Sequence, residues 1–551
     1  MGMTRRTLLT GSAAAGLMWT PIGRLADPGP EPPGFPADIP HERRTYLNWS
    51  GETVADDVWT ASPRTPADVV TLANWAHARG WRLRPHGFRH GWSPLTLAPG
   101  DDADVVLLDM TAHLTAMSMT AADEVRVQAG ASMESLLTYL EEKGRGLAHC
   151  PAPGDLSVGG VLAIGGHGTA VPATGETRAP GTTYGSLSNL VTSVTAVVWD
   201  GSSYALRTVP RSDPDAAALL TDLGVLCLVE VTMRVGVNAN LRCLSRVDLA
   251  ASELFAAPGT DGDTVESFLD QAGRIEVIWF AFTTHPWLKV WSVAPTRPLT
   301  SRPVVAPYNY PFSDNIPRPV AEVAGDILSG QYYLAPVLGQ LQYDATVAGL
   351  TASVSADLWG PSKNLLLYIK PTTLRVHPNG YAVLTRRADV QWVLHEFATE
   401  YERLLKAYAA EGRFPVNGAV EIRVTGLDVA ADAEVPGAEP PLLSAVTPHP
   451  GFDAAVWLDV LTLPGTRDAN AFYADLEAFC YAAFSGGRAL TRVEWSKGWA
   501  YTPAAPWTNQ PLLTQTIPAS FGPSWDRAVS ELSALDPHGV FRNGFVDALF
   551  S

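Results

Sequence analysis

Leu83-Arg84-Pro85-His86-Gly87-Phe88-Arg89-His90-Gly91-Trp92-Ser93-Pro94-Leu95 is the stretch from which the rest of the chain can be read. It follows a helix-like run, Ala67 to Gly80, whose apolar residues Val69, Val70, Leu72, Ala73 and Ala76 fall on one side. It then reads as a short strand entering a turn built of Gly, His and Arg. Such a turn suits backbone lying against a ligand, because glycine lacks the Cβ that would hold the ligand off. An ordinary loop with surface histidines satisfies the same pattern, so the neighbouring segments have to decide.

A second glycine-rich run lies further along: Pro151-Ala152-Pro153-Gly154-Asp155-Leu156-Ser157-Val158-Gly159-Gly160-Val161-Leu162-Ala163-Ile164-Gly165-Gly166-His167-Gly168-Thr169. Its backbone N–H groups can gather round a diphosphate. It holds neither GxGxxG nor GxxxxGK[ST], which excludes the dinucleotide fingerprint of a doubly wound fold and a P-loop. A purely structural glycine turn is the competing reading. Around these runs, Asp104–Asp109, Val125–Gly130, Val191–Trp199, Tyr204–Val209 and Val225–Val235 read as strands, and Ser132–Lys143 as a helix capped by Ser132. The pattern is α+β with mixed connections.

The chain has 551 residues, 46% of them hydrophobic and 17% charged, enough for at least two cores. A net charge of −17 and the lack of a basic stripe exclude a nucleic-acid partner. Four cysteines without CxxC spacing exclude a cysteine metal site and a disulfide framework, and the histidines show no metal spacing, so no metal is expected. Thr4-Arg5-Arg6-Thr7-Leu8-Leu9 and the short apolar run to Trp19 read as a twin-arginine-like export signal within 1–26, which predicts a secreted, extracytoplasmic protein. A Pro-rich arm over 27–47 follows. No later run is long enough to span a membrane, although transient contact with one is compatible with the pattern.

Beyond about residue 238, tryptophan and proline become frequent. Ile275–Phe282 and Trp287–Trp291 read as aromatic strands suited to a bulky apolar ligand or to plain core. Glu400–Glu411 reads as a helix, and Gly426–His449, without period, as a mobile surface loop. In Ala419-Val420-Glu421-Ile422-Arg423-Val424 the alternation places Glu421 and Arg423 on one strand face, either solvated or paired in a cavity. Glu276 shares a face with Ile278 and Phe280. A carboxylate among such apolar groups is expected to have a raised pKa and to be able to shuttle a proton. Glu494 is a further carboxylate candidate, and His167 reads as a packing or pyrophosphate-side residue.

Taken in order, the Gly-His turn, the GG…GGHGT run, Tyr184-Gly185-Ser186-Leu187-Ser188-Asn189 and the tail Pro537-x-Gly539-x-Phe541-x-Asn543 resemble the vanillyl-alcohol oxidase (VAO/PCMH) type of FAD-binding domain. Arg84–Leu95, Ile278-Trp279-Phe280, Pro286–Trp291, Glu421-Ile422-Arg423 and Glu494–Trp499 are most similar to type II cholesterol oxidases, the covalently flavinylated class. The resemblance implies a two-lobed FAD-binding domain over 48–237, a substrate-binding cap domain over 238–500, and a segment 501–551 returning to the FAD domain. It implies FAD attached to His90. Pro85, Gly87, Phe88, Arg89, Gly91, Trp92, Gly154, Asp155, Ser157, Val158, Gly159, Gly160, Gly165, Gly166, His167, Gly168, Thr169, Tyr184, Gly185, Ser186 and Asn543 would surround the cofactor. Many relatives carry Gly-x-Gly-His-Ser at the attachment turn, whereas here Arg89 replaces a glycine and Gly91 the serine. Cys150 reads either as a second flavin attachment or as a buried, inert thiol. Glu276, Glu421, Arg423 and Glu494 are the implied catalytic groups, with the division of labour among the carboxylates left open. The implied activity is oxidation of the 3β-hydroxyl of cholesterol-like sterols by O₂, giving H₂O₂, with Δ5 to Δ4 isomerisation to the 4-en-3-one. A sugar or alditol oxidase, a dehydrogenase of the same fold, and a non-catalytic sterol or flavin carrier are the alternatives.

Overall fold

The computed structural model describes residues 31–98, 100, 103–314, 316–370 and 375–551; the export signal expected over 1–26 lies outside them. Helix Pro66–Arg79 begins with a capping box, Thr65 and Asp68 each bonding the other's backbone, and ends at Gly80, whose φ of 70° is left-handed. It packs Val69, Leu72, Ala73 and Ala76 onto a four-stranded sheet ordered His41–Leu47, Val54–Ala61, Val105–Asp109, Arg82–His86. The last two pairs in that order are parallel. The Pro-rich arm is not free: Phe35 and Ile39 are buried, Phe35 against Trp75, and His41–Leu47 is a paired strand. The apolar residues between the prolines find a core on the helix, which outweighs the extended preference of the prolines.

A five-stranded antiparallel sheet follows, ordered Met117–Ala121, Glu124–Gln128, Cys227–Arg234, Val191–Trp199, Tyr204–Pro210. Helix Met133–Glu142 lies beside it, with the Ser132 hydroxyl capping Ser135 N. The rest of the chain is built on a ten-stranded sheet whose centre runs Asn240–Arg246, Trp287–Val293, Arg274–Phe280, Ala419–Gly426, Ala454–Thr462, His377–Thr385. Alternation decides its two faces. Val277, Trp279, Val420 and Ile422 point to helices Val390–Ala410 and Ala469–Ala483, while Glu276, Lys289, Glu421 and Arg423 point the other way. The first of these helices begins at Val390, well before Glu400, because Val390, Val393, Leu394 and Phe397 continue the buried stripe.

Of the stretch 426–449, read as a mobile surface loop, residues 426–428, 432, 433 and 441–447 are buried, and only the remainder is exposed or half-buried. Leu443, Ser444 and Val446 are fully buried, and the carbonyls of Ala445 and Thr447 accept from the buried Arg492 guanidinium at 3.2 and 2.6 Å. Trp495 Nε1 donates to Leu443 O. Side chains distant in sequence satisfy this backbone, so the absence of local periodicity does not imply exposure. The C-terminal tail reaches the first sheet: Leu83 N donates to Val540 O at 2.7 Å, and the Asn543 amide donates to Pro94 O at 2.9 Å. Among the described residues no helix is long and apolar enough to cross a membrane.

Candidate functional site

Strand Arg82–His86 delivers the turn that carries His90. Gly87 is required there, because a Cβ would fall 1.9 Å from Ser157 Oγ. Arg89 holds φ at 60°, a left-handed conformation that costs a non-glycine residue about 1 kcal/mol. The turn is held from outside: Arg89 O accepts from Trp49 N at 2.7 Å, and Trp92 N donates to Ser496 O at 2.8 Å. The His90 ring stacks on Trp49 at 4.9 Å and meets Trp92 edge-on at 5.7 Å. Its Nδ1 is buried and has no hydrogen-bond partner among the described residues. Burial, with Lys497 adding to it, lowers the His90 pKa to about 3, so the ring is neutral at physiological pH.

The second glycine run faces this turn. A Cβ at Gly168 would lie 2.6 Å from Cys150 O. Gly168 N donates to Nδ1 of the buried His149 at 3.1 Å, and His149 Nε2 donates to Thr183 O at 3.0 Å. Thr169 Oγ1 donates to Ile275 O at 2.6 Å, which ties the run to the strand of Glu276. Burial first, then His167, lowers His149 to about 3. The neutral ring therefore contributes stability above its unfolded pKa near 6.5, and this is lost as pH falls toward 3, because the unfolded chain binds a proton the folded chain refuses. A His149→Gln variant keeps an acceptor and a donor but no titration. Its unfolding free energy, from denaturant melts between about pH 6 and pH 4, should fall less steeply than the parent's by about 1.4 kcal/mol per pH unit. Equal slopes would reject this role. Burial pushes the Cys150 thiol up to about 12, which leaves it protonated and favours the inert reading.

Between the glycines and the aromatic strands, the large sheet presents a charged floor. Lys289 stands opposite Glu276 in register, Glu276 opposite Arg423, and Glu421 opposite Asp459. Glu276, 1% exposed, accepts from Lys289 Nζ at 3.1 Å, from Arg423 at 2.6 Å and from Tyr368 Oη at 2.6 Å. Arg423 also donates to Glu421 at 2.7 Å and to Asp459 at 3.2 Å. Lys497 Nζ is 3.5 Å from Asp459 and 3.9 Å from Glu494. Gly380 leaves room for this cluster, since its Cβ would fall 2.5 Å from Asp459 Oδ1 and 2.6 Å from Lys497 Cγ.

The expectation of a raised pKa at Glu276 is overturned. Burial does push it up, but Lys289 and then Arg423 pull it further down, to about 2. Its apolar strand neighbours hide two cations that arrive from other strands. Glu494 follows the same logic: burial opposes, Lys497 and His167 prevail, and it falls to about 2. Asp459 moves the other way, well above the usual carboxylate range, through burial and the neighbouring Glu494. With four carboxyl groups facing three cations, Asp459 is the one whose surroundings favour the protonated form.

One cavity of about 490 Å³ connects these parts. It is lined by Pro85 and Gly87 to Trp92, by Ser157, Gly159, Gly160 and Gly165 to Thr169, and by Glu421, Arg423 and Glu494. Its far end is apolar, with Phe280, Trp287, Trp291, Phe312, Val320 and Leu338. Glu276 lies just beneath the lining. Gly154, Asp155, Val158, Tyr184, Gly185, Ser186 and Asn543 are placed outside it. Ser186 and Gly185 pack on Asp428, with Ser186 N donating to its carboxylate at 2.6 Å, while Asn543 caps the last helix. His167 stacks on Trp457 at 3.4 Å. Lys289, Asp459, Lys497 and Tyr368 belong to the site although sequence reasoning gave them no role. The charge in Trp287-Leu288-Lys289-Val290-Trp291, on the aromatic face of a strand, was the available signal for Lys289.

The residues present fit a flavin. Among the described residues the buried Nδ1 of His90 has no hydrogen-bond partner, and His90 lines the same cavity as the glycine run. Residues 59–206 match a family model described as an FAD binding domain, and residues 240–551 one described as "Cholesterol oxidase, substrate-binding". A solved "Solvent-stable cholesterol oxidase" is 51% identical, with a TM-score of 0.93, over 95% of this chain and 100% of that one. A cholesterol oxidase from B. sterolicum is 45% identical, with a TM-score of 0.93, over 95% and 99%. A curated relative, the mitochondrial L-galactono-1,4-lactone dehydrogenase of Brassica oleracea, is 30% identical over 135 residues, which span 24% of this chain and 22% of that protein.

Proposed function

The chain belongs to the cholesterol oxidase family, with an FAD-binding domain of the vanillyl-alcohol oxidase type, and from that premise we propose that it oxidises the 3β-hydroxyl of cholesterol-like sterols with O₂. The observation that carries the reading is the single cavity that runs from the His90 turn, over Glu421 and Arg423, into an apolar aromatic end. A fused-ring alcohol fits it with the hydroxyl at the charged floor and the hydrocarbon among the rings.

Flavin, when bound, supplies the hydride acceptor and returns the electrons to O₂, giving H₂O₂. The chain's own residues do the rest. His90, through Nδ1, is the proposed point of covalent attachment. The glycines at 87, 159, 166 and 168 let the segments that form the cradle pack closely, since a Cβ at each would meet Ser157, Ala129, Val161 or Cys150. Glu421 is the base for the hydroxyl proton: it lines the cavity, which Glu276 does not, and Lys497 with His167 leaves Glu494, the other lining carboxylate, a weak base. Arg423 places its charge where a developing oxyanion would stand. The same Glu421 is the group proposed to take a proton near C4 and return it at C6 in the Δ5 to Δ4 isomerisation. Phe312, Ile316, Val320 and Leu338 cover the apolar end against water. The Arg5-Arg6 leader supports export, and the exposed Leu299, Val305 and Val354 support a transient contact with a membrane from which sterol is drawn.

Peroxide release and ultraviolet absorbance of a conjugated 4-en-3-one, measured on a panel of sterols, alditols and primary alcohols, test the reading. Peroxide and conjugated enone from 3β-hydroxy-Δ5-sterols alone are expected. Turnover of alditols without sterols would overturn it.

A further inference from the structure

Strand Trp287–Val293 places Lys289 between two tryptophans that line the cavity. Its side chain is 1% exposed. The ammonium lies 3.4 Å from the centroid of Tyr368, 4.5 Å from Trp287, 4.9 Å from Tyr310 and 5.6 Å from Trp291. Four aromatic faces stabilise a cation without offering a proton acceptor. Among the described residues its one ion-pair partner is Glu276. Glu276 in turn holds Tyr368 Oη and one arm of Arg423, whose other contacts are Glu421 and Asp459. Glu276 is therefore the link between a caged ammonium and the guanidinium at the reacting end of the cavity.

We propose that Lys289 is a positioning residue: it keeps Glu276 an anion that accepts from Tyr368 and Arg423 together, and so fixes the direction in which Arg423 faces substrate. The proposal deepens the oxidase reading and rests on it for the part played by Arg423. Without Lys289, Glu276 is buried beside a guanidinium already shared with two other carboxyl groups. Burial then favours the neutral acid. Tyr368 and Arg423 both bond Oε1, and Lys289 bonds Oε2; a proton taken up at the vacated Oε2 removes the charge that strengthens both bonds to Oε1, so Arg423 is drawn toward Glu421 and Asp459. The titratable and charged groups that face Glu276 are Lys289, Tyr310, Tyr368, Arg423, Glu421 and Cys243.

The test compares the holoenzyme with Lys289→Met, Glu276→Gln, the double variant and Lys289→Arg. Lys289→Met is expected to lower kcat about tenfold or more with KM nearly unchanged. It should also add a protonated-carboxyl band to the infrared difference spectrum at neutral pH. That band, read as variant minus parent, should be absent from Lys289→Arg and from the double variant. The double variant should turn over no more slowly than Glu276→Gln alone, because Lys289 acts only through Glu276. Equal losses from Lys289→Met in both backgrounds, or no carboxyl band in Lys289→Met, would overturn the proposal. If Lys289→Met does not fold, folding of the double variant supports the proposal, and failure of the double variant beside a folded Glu276→Gln opposes it. The band needs no substrate, so a parent without sterol turnover would remove the functional reading while the Lys289–Glu276 linkage is still decided.

Discussion

Replacing Arg423 by Met is expected to cost about 3–5 kcal/mol of stability and to reduce turnover by about a hundredfold or more. The side chain is 16% exposed and pairs with Glu276, Glu421 and Asp459, at 2.6, 2.7 and 3.2 Å. Methionine matches its stem but leaves those carboxyl groups buried with Lys289 and Lys497 as their remaining cations. The favourable charge pairing is lost while the desolvation remains, which is the costly way to break a buried network. Acid should restore part of the loss, because protonating the stranded carboxylates removes their mutual repulsion. Denaturant melts at neutral and mildly acidic pH, together with steady-state rates, check both parts. Arg423→Lys keeps a charge but loses the fork that reaches two carboxylates at once, and should fall between the two. A fully stable, fully active Arg423→Met would mean that the charged floor has no bearing on folding or chemistry.

His90→Ala is expected to convert a cofactor that stays with the denatured chain into one that is released. After denaturation and precipitation, the parent should keep its yellow colour in the pellet and the variant should yield it all to the supernatant. Turnover should fall about tenfold rather than vanish, because the cradle and the charged floor remain to bind and orient both partners. The ring is placed for this role by Trp49 and Trp92, and its neutral state keeps a ring-nitrogen lone pair available. Complete release of colour from the parent would refute the attachment.

The two glycine runs, the alternation at Glu421 and Arg423, and the aromatic strands were all legible, because each is a local pattern. The alternation left open whether the pair is solvated or buried; the structure pairs the two residues at 2.7 Å beside a cavity. What periodicity could not show was the other side of each contact. Glu276 was read from its strand companions Ile278 and Phe280, and its pKa was expected to rise. Its actual neighbours, Lys289 and Arg423, come from the two flanking strands. Residues 441–447 failed in the same way, since Arg492 and Trp495 supply the backbone partners that the surface-loop reading took from water. Arg89, where many relatives have glycine, sits in a left-handed conformation that the sequence alone did not reveal.

By itself the sequence determined the α+β class, the glycine-lined approach to His90 and the strand faces, since period-two alternation and the missing Cβ of glycine are properties of the chain. Only the tertiary structure decided the charges: that Glu276 and Glu494 are pulled down, that Asp459 is pushed up, and that Lys289 and Lys497 stand beside them. Charge states follow from distances between strands far apart in sequence, and those distances exist only once the sheet has formed.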